Sequence, residues 1–235
     1  MPQKESETES LHTSSHSVFH AQPPASFLAS LQEDSDGIDM SSQPHITSRI
    51  VQYAGIIFDV DELRVALPRM DGGREFITRQ IVKHAPSVVM IVHDSKNDTY
   101  LVEREYRVGC NGFVFGLPAG LMDKDESIDA AALRELREET GIVPTQRAYM
   151  ITHISDSYSS IGMCDEMSHV ISIELHDWSM HDTKFDKDEH VQSAWVSWDM
   201  LKSLKIQSAT CIIALQSEAL KRAGIREKMN IRERD

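Results

Sequence analysis

Between Gly120 and Ile142 the chain reads GLMDKDESIDAAALRELREETGI, and no other stretch narrows its possible folds as far. Ser127 suits an N-cap and Gly141 a stop, which predicts a helix over residues 128–140. Wound at about 100° per residue, this helix turns Glu135 and Glu139 into the arc of Ile128, Ala131 and Ala132. Glu138 flanks that arc, and Leu133 and Arg137 fall on the opposite side. An amphipathic helix ordinarily keeps glutamates away from its alanines, because a buried carboxylate without a partner is strongly unfavourable. Either the segment is a solvated Glu/Arg helix in a register shifted by one residue, or something cationic compensates a carboxylate cluster on the buried side. Arg134, four residues before Glu138, can form one ion pair but cannot neutralise three glutamates. Clustered carboxylate oxygens with little histidine or thiolate nearby suit a hard divalent cation, Mg²⁺ or Mn²⁺, which also holds phosphate oxygens.

Such a helix needs a sheet beneath it, and the flanking sequence predicts one. Residues 86–93 (PSVVMIVH) and 100–106 read as core strands joined by the polar loop 94–99, and strands recur at 149–154, 169–175 and 193–198. The glycine-punctuated stretch 109–120 reads as a loop. Helices are expected at 199–204 and 208–223. Upstream, 49–53, 55–60, 62–67 and 75–84 read as short strands broken by turns such as Asp71-Gly72-Gly73. This pattern predicts an α/β (α+β) fold with a mixed sheet and a small N-terminal antiparallel β unit. The expected segments are a disordered tail over 1–45, rich in Ser, His, Gln and acidic residues, the β unit over 46–84, the main domain over 85–206 and a C-terminal helix and tail over 207–235. Within the tail, PASFLASL over 24–31 could form one short docking helix. The β unit has few obvious core positions and is expected to pack on something else, such as a second copy of the chain.

Composition excludes several function classes. The 235 residues carry 37 acidic against 24 basic side chains, a formal net charge of -13, which disfavours nonspecific attraction to nucleic acid or an anionic membrane. An anionic substrate would therefore need a metal ion. Three cysteines, Cys110, Cys164 and Cys211, form no CxxC pair, so neither a disulfide framework nor a zinc ribbon is readable, and a reducing cytoplasmic setting is expected. No stretch approaches the roughly 20 apolar residues of a membrane span.

The residues Gly120, Glu126, Arg134, Glu135, Leu136, Glu138, Glu139, Gly141 and Ile142 match every fixed position of the Nudix box, G-x5-E-x7-R-E-U-x-E-E-x-G-U with U aliphatic. At average residue frequencies a chance match in a chain this long is about one in ten million. The chain thus resembles the Nudix hydrolases, which implies an αβα sandwich that uses a divalent metal to hydrolyse a nucleoside diphosphate linked to another moiety. By that resemblance Glu135 and Glu139 are metal ligands and Glu138 is a ligand or positions the attacking water. Arg134 orients a carboxylate, and Ala119 offers its backbone oxygen to the metal. Glu126 braces the loop, while Gly120 and Gly141 permit tight backbone turns at either end of the helix.

Beyond the box, residues 49–205 resemble the ADP-ribose pyrophosphatase subfamily, most clearly in YLVEREYR (100–107), LPAGLMD (117–123), SIGMCDE (160–166) and DEHVQSAW (188–195). This implies ADP-ribose as substrate, with AMP and ribose 5-phosphate as products, and a homodimer with shared active sites. Arg107, with Arg104 in the same run, Gly120 and Glu166 are assigned to substrate binding, Arg107 on the diphosphate. Glu189 is the candidate water-activating residue, with Asp188 and Glu166 behind it. Two departures stand out: Gly116 where the subfamily usually has glutamate, and Ile161 where it usually has proline. They leave another nucleotide sugar, a dinucleoside polyphosphate or a nucleoside triphosphate open as substrate. A nucleotide-binding protein without turnover is the rival from another class. His153, His169 and His190 form no close ligand pair and read as surface or core histidines. Cys110 and Cys164 lie in loops expected to frame the pocket, where Tyr158 and Phe113 could stack a base.

Overall fold

The computed structural model describes Phe27, Leu31, residues 36–184 and residues 190–225. Most of the expected tail, with all but two positions of the 24–31 helix, lies outside these residues, as do Asp188 and Glu189. Contacts divide the chain into two units, Met1–Gln43 with Leu67–Glu75, and Pro44–Ala66 with Phe76–Asp235.

In the first unit Ile38 and Arg69 form an antiparallel bridge. The Asp39 N–H donates to the Pro68 carbonyl at 2.8 Å and the Met70 N–H to the Gly37 carbonyl at 3.0 Å. The predicted turn at 71–73 forms, with the Gly73 N–H on the Asp71 carboxylate at 2.8 Å and Gly72 at φ 82°.

Strands β1 (His45–Ala54), β2 (Asp59–Pro68) and β3 (Arg74–Lys83) make a three-stranded sheet in that order. Two strands expected at 55–60 and 62–67 are a turn followed by one strand. The Gly55 N–H bonds both the Phe58 carbonyl and the Asp59 carboxylate, which closes the turn before β2 begins. Leu63 and Ala66 of β2 are buried, whereas every residue of β1 is exposed, including Ile46, Ile50, Val51 and Tyr53.

The main sheet contains β4 (Ser87–Asp94), β5 (Thr99–Arg107), β9 (Tyr149–Tyr158), β10 (Met167–Leu175) and β12 (Gln192–Ser197) in the order β12-β5-β4-β10-β9. β4 and β10 run parallel and the other pairs antiparallel, so the sheet is mixed as expected. Near-continuous apolar runs in β4 and β10 are what burial on both faces requires. One face, with Val88, Met90, Val92, Leu101, Ile171 and Ile173, packs on helix α1 (Ile128–Thr140) through Ala131, Ala132 and Leu136. The other, with Val89, Ile91, Tyr100, Val102 and Val170, is covered by α2 (Trp198–Ser203) and α3 (Ala209–Arg222). Among the described residues no helix is long and apolar enough to cross a membrane.

The stretch 109–120, expected as loop, holds two strands, β6 (Gly112–Gly116) and β7 (Ala119–Leu121). The alternation Phe113-Val114-Phe115 pairs with the second half of β5, and β7 pairs with the first half of β4. β4 and β5 are bonded only at their hairpin end, His93 with Tyr100 and Asp94 with Thr99. Beyond it they part, and the segment from Gly116 to Gly120 crosses the gap. Two further short strands, β8 (Ile142–Pro144) and β11 (Trp178–Met180), pair with each other and fix the exit of α1.

Candidate active site

α1 occupies the predicted residues, with the Ser127 hydroxyl accepting from the Ala130 N–H at 3.3 Å. At its far end Gly141 takes φ 73°, and its N–H bonds the Arg137 carbonyl at 2.9 Å. A side chain there would also collide with the His181 carbonyl, so only glycine closes this helix end. At Gly120 the requirement differs from a tight turn. Gly120 is a strand residue opposite Val88, and the Glu135 carboxyl lies where its Cβ would stand. Glycine here lets a carboxylate from the helix rest on the strand backbone.

Arg134 organises the cluster through five hydrogen bonds. Its Nε and Nη2 grip Glu126 at 3.0 and 2.9 Å, Nη1 donates to Glu135 at 2.8 Å and Glu138 at 3.1 Å, and Nη2 also bonds the Leu121 carbonyl at 2.8 Å. The Glu126 carboxylate in turn accepts from the Asp123 N–H at 3.0 Å, bracing the loop before the helix. Arg134's hydrogen bonds hold the Glu126 carboxyl below its ordinary pKa, and the same bonds, led by Glu126, push the guanidinium's own pKa up. Glu139 is buried and accepts from the Ala119 N–H at 3.3 Å. The Glu135 side chain is 13% exposed and that of Glu138 38%, so the carboxylates grade outward from the core to solvent.

The remaining predicted residues divide by sheet face. Alternation along β5 puts Leu101, Glu103, Glu105 and Arg107 on the α1 face, where Arg107 pairs with Glu105. Arg104 is on the opposite face, over the rings of Phe113 and Phe115 at 5.6 and 5.8 Å. Glu166 also lies off the α1 face, accepting from the Ser87 hydroxyl at 2.9 Å beside Ser168. The structure thus brings together Ala119, Gly120, Glu126, Arg134, Glu135, Glu138 and Glu139, places Arg107 on their side of the sheet, and keeps Arg104 and Glu166 apart from them. Glu103, buried and directly across from Gly116, and Glu105 were missed, although the period-two alternation of YLVEREYR carries the signal. Phe113, Tyr158 and Ile161 are exposed, Cys110 is exposed, Cys164 half-buried and Cys211 buried in the core.

Among the described residues no three His, Cys, Asp or Glu side chains converge closely enough to hold a metal ion unaided. The donors that do gather are all carboxylate and backbone oxygens. Mg²⁺-type cations commonly bind through one or two carboxylates while water and substrate phosphates fill the remaining positions, and the residues present fit that mode.

Residues 83–214 match the family model of the NUDIX domain. The chain belongs to the Nudix family. As a Nudix pyrophosphohydrolase it is 29% identical to the ADP-ribose pyrophosphatase of Bacillus subtilis (strain 168) over 175 residues, 73% of this chain and 90% of the relative. It is 30% identical to the methanol dehydrogenase activator of Bacillus methanolicus over 151 residues, 61% of this chain and 79% of the relative. A solved structure, described as an ADP compounds hydrolase, shares the Nudix fold with a TM-score of 0.59 at 22% identity, over 79% of this chain and 98% of that one. Nudix hydrolases generally use divalent metal ions, in keeping with the oxygen donors around Gly120.

Proposed function

We propose that this Nudix hydrolase cleaves the diphosphate linkage of ADP-ribose with Mg²⁺, or Mn²⁺ in its place, taking up water to give AMP and ribose 5-phosphate. The observation that carries the reading is the placement of Glu135 against Gly120 and of Glu139 on the Ala119 N–H, beside an arginine that already holds Glu126, Glu135 and Glu138. Clustered carboxylate oxygens of this kind suit a hard divalent cation that also holds phosphate oxygens. A divalent cation there would neutralise charge on the phosphoryl oxygens and activate the attacking water. The protein's own share is positioning. Arg134 keeps Glu135 and Glu138 aimed across the Gly120 strand, and the Ala119 N–H fixes Glu139. Arg107, on the same face, draws the diphosphate into the gap where β4 and β5 part. Glu138, the most exposed of the set, takes the proton from the water, a role for which Glu189 is the alternative.

Gly116 supports a second reading. No heavy atom lies within 4 Å of where its Cβ would be, so the floor beside Glu103 has room that a glutamate would fill. That room suits a different substrate of the same class, another nucleotide sugar, a dinucleoside polyphosphate or a nucleoside triphosphate.

The same proposal includes a homodimer in the cytoplasm. β1 exposes Ile46, Ile50, Val51 and Tyr53, the following turn exposes Ile56, Ile57 and Phe58, and β3 exposes Phe76. Apolar exposure on this scale marks an interaction surface. Light scattering should give twice the chain mass, and a monomer at assay concentration would refute that part.

A phosphate-release assay coupled to phosphatase tests the reaction, run with Mg²⁺ or Mn²⁺ over ADP-ribose, GDP-mannose, UDP-glucose, diadenosine polyphosphates and nucleoside triphosphates. Preference for ADP-ribose supports the first reading, and preference for another substrate the second. Absence of turnover on all of them would sink both.

A further inference from the structure

Beside Glu138, on the Leu133–Arg137 side of α1, lies a cavity of about 290 Å³ lined by Leu133, Arg134, Arg137, Glu138 and Lys184. Its three cations are not equivalent. Arg134 is fully engaged with Glu126, Glu135, Glu138 and the Leu121 carbonyl. The exposed side chains of Arg137 and Lys184 make no hydrogen bond or ion pair with any described residue. Lys184 is not adrift, however. Its N–H donates to the Glu138 carbonyl at 2.8 Å, and the His181 N–H to the Gly141 carbonyl at 2.7 Å, so the backbone of this segment is tied along the end of α1. Arg137 occupies the one unspecified position between Leu136 and Glu138, so the Nudix box itself does not demand an arginine there.

In a chain of net charge -13, two cations that no described residue engages and that line one cavity run against the overall field. The carboxylate in the lining, Glu138, is itself held by Arg134 at 3.1 Å. We infer that this cavity is a phosphate-binding subsite, in which Arg137 presents a two-pronged donor to phosphoryl oxygens and Lys184 a point charge. Its occupant is a phosphate of the substrate beyond the hydrolysed linkage or free inorganic phosphate. The first source rests on the hydrolase function proposed above; the second does not.

The test compares the wild-type chain with R137S, K184S and the double variant, all folded by thermal melting because both side chains are exposed. In the first arm inorganic phosphate alone is titrated into metal-free protein and followed by ³¹P NMR. In the second, KM and kcat are measured with Mg²⁺ for diadenosine tetraphosphate and for ADP-ribose. A free-phosphate site predicts that the double variant loses about tenfold in phosphate affinity, as expected for removal of charge-assisted bonds. A substrate-phosphate site predicts a rise of similar size in KM for diadenosine tetraphosphate alone, with kcat retained. The subsite is overturned if neither arm responds to the double variant, whether because wild-type protein binds no phosphate or because binding and KM are unchanged. Absence of turnover in the wild type would refute the hydrolase function, and the NMR arm would then decide the subsite alone.

Discussion

Each face of the sheet gathers carboxylates around an arginine, and the two faces balance their charges differently. Under α3, Tyr100 and Glu218 are buried and hydrogen-bonded to each other. Arg222 donates to the Tyr100 hydroxyl at 2.8 Å, stacks over the rings of Tyr100 and Trp198 at 5.1 and 5.4 Å, and pairs with Asp98. Lys221 joins Glu174 at 2.9 Å and approaches Glu218 at 3.8 Å. Burial first, and then the bond to Glu218, push the Tyr100 phenol well above its ordinary pKa, so it stays a donor. Two cations and a phenol thus serve three carboxylates. Under α1, one arginine serves Glu126, Glu135 and Glu138, with Glu139 on a backbone N–H. The α3 knot is close to satisfied and holds a helix on the sheet. The α1 cluster gathers carboxylate oxygens in a graded series from the core to solvent, an arrangement that suits a hard divalent cation.

Removing one member of each cluster should therefore have different consequences on the two faces. Glu139→Gln should lower kcat on ADP-ribose by about a thousandfold or more, the scale of lost electrostatic stabilisation of a transition state, while circular dichroism shows a folded chain. Retained kcat would place catalysis elsewhere. Gly120→Ala should follow with a loss of about a hundredfold in kcat/KM, because the new methyl displaces Glu135 and small misplacements are costly. Gly116→Ala is the control, since its Cβ enters open space. Equal effects of the two substitutions would show that Glu135 does not depend on the bare backbone at Gly120.

On the α3 face the expected loss is of stability rather than rate. Tyr100→Phe strips Glu218 and Arg222 of a shared partner, and leaving such groups unmade in the interior costs about 1–3 kcal/mol. Urea unfolding should register that loss, with kcat per folded molecule unchanged. A drop in kcat without a drop in stability would mean that the two faces are coupled through the strands.

How much of this was legible in the sequence differs from element to element. α1 was readable to the residue because its signals are local: a serine cap, a glycine stop and a 3.6-residue period. β4 and β10 were readable from apolar runs. β6 and β7 were not, since their glycines and the proline between them signal loop and only pairing with β5 and β4 makes them strands. The turn at Gly55–Phe58 was hidden for the converse reason, apolar residues that lie outside the β1–β2 ladder. The box located the glutamates, but it could not give the reason for Gly120, which is contact with Glu135 across the fold. Nor could it separate Arg104 and Glu166 from the α1 face, because the face of a strand residue depends on register that only the assembled sheet defines.

The smallest expected effect concerns acid. Arg134's hydrogen bonds hold the Glu126 carboxyl below the ordinary glutamate value of about 4.3. A carboxyl whose pKa is lowered by folding contributes stability in full above its unfolded value and loses it as pH falls through the folded one. The Glu126–Arg134 brace is thus complete at neutral and mildly acidic pH and fails only below about pH 4. Glu126→Gln removes the charge at every pH. Its thermal midpoint should lie below the wild-type one by a constant amount above about pH 5, and the gap should narrow as the wild-type carboxyl protonates. Asp98, held down in the same direction by Arg222 on the other face, provides the parallel measurement through Asp98→Asn. A gap at Glu126 that stays constant into strong acid would mean that the brace works by shape and hydrogen bonding alone, and the contrast between the faces would then rest on Glu135, Glu138 and Glu139.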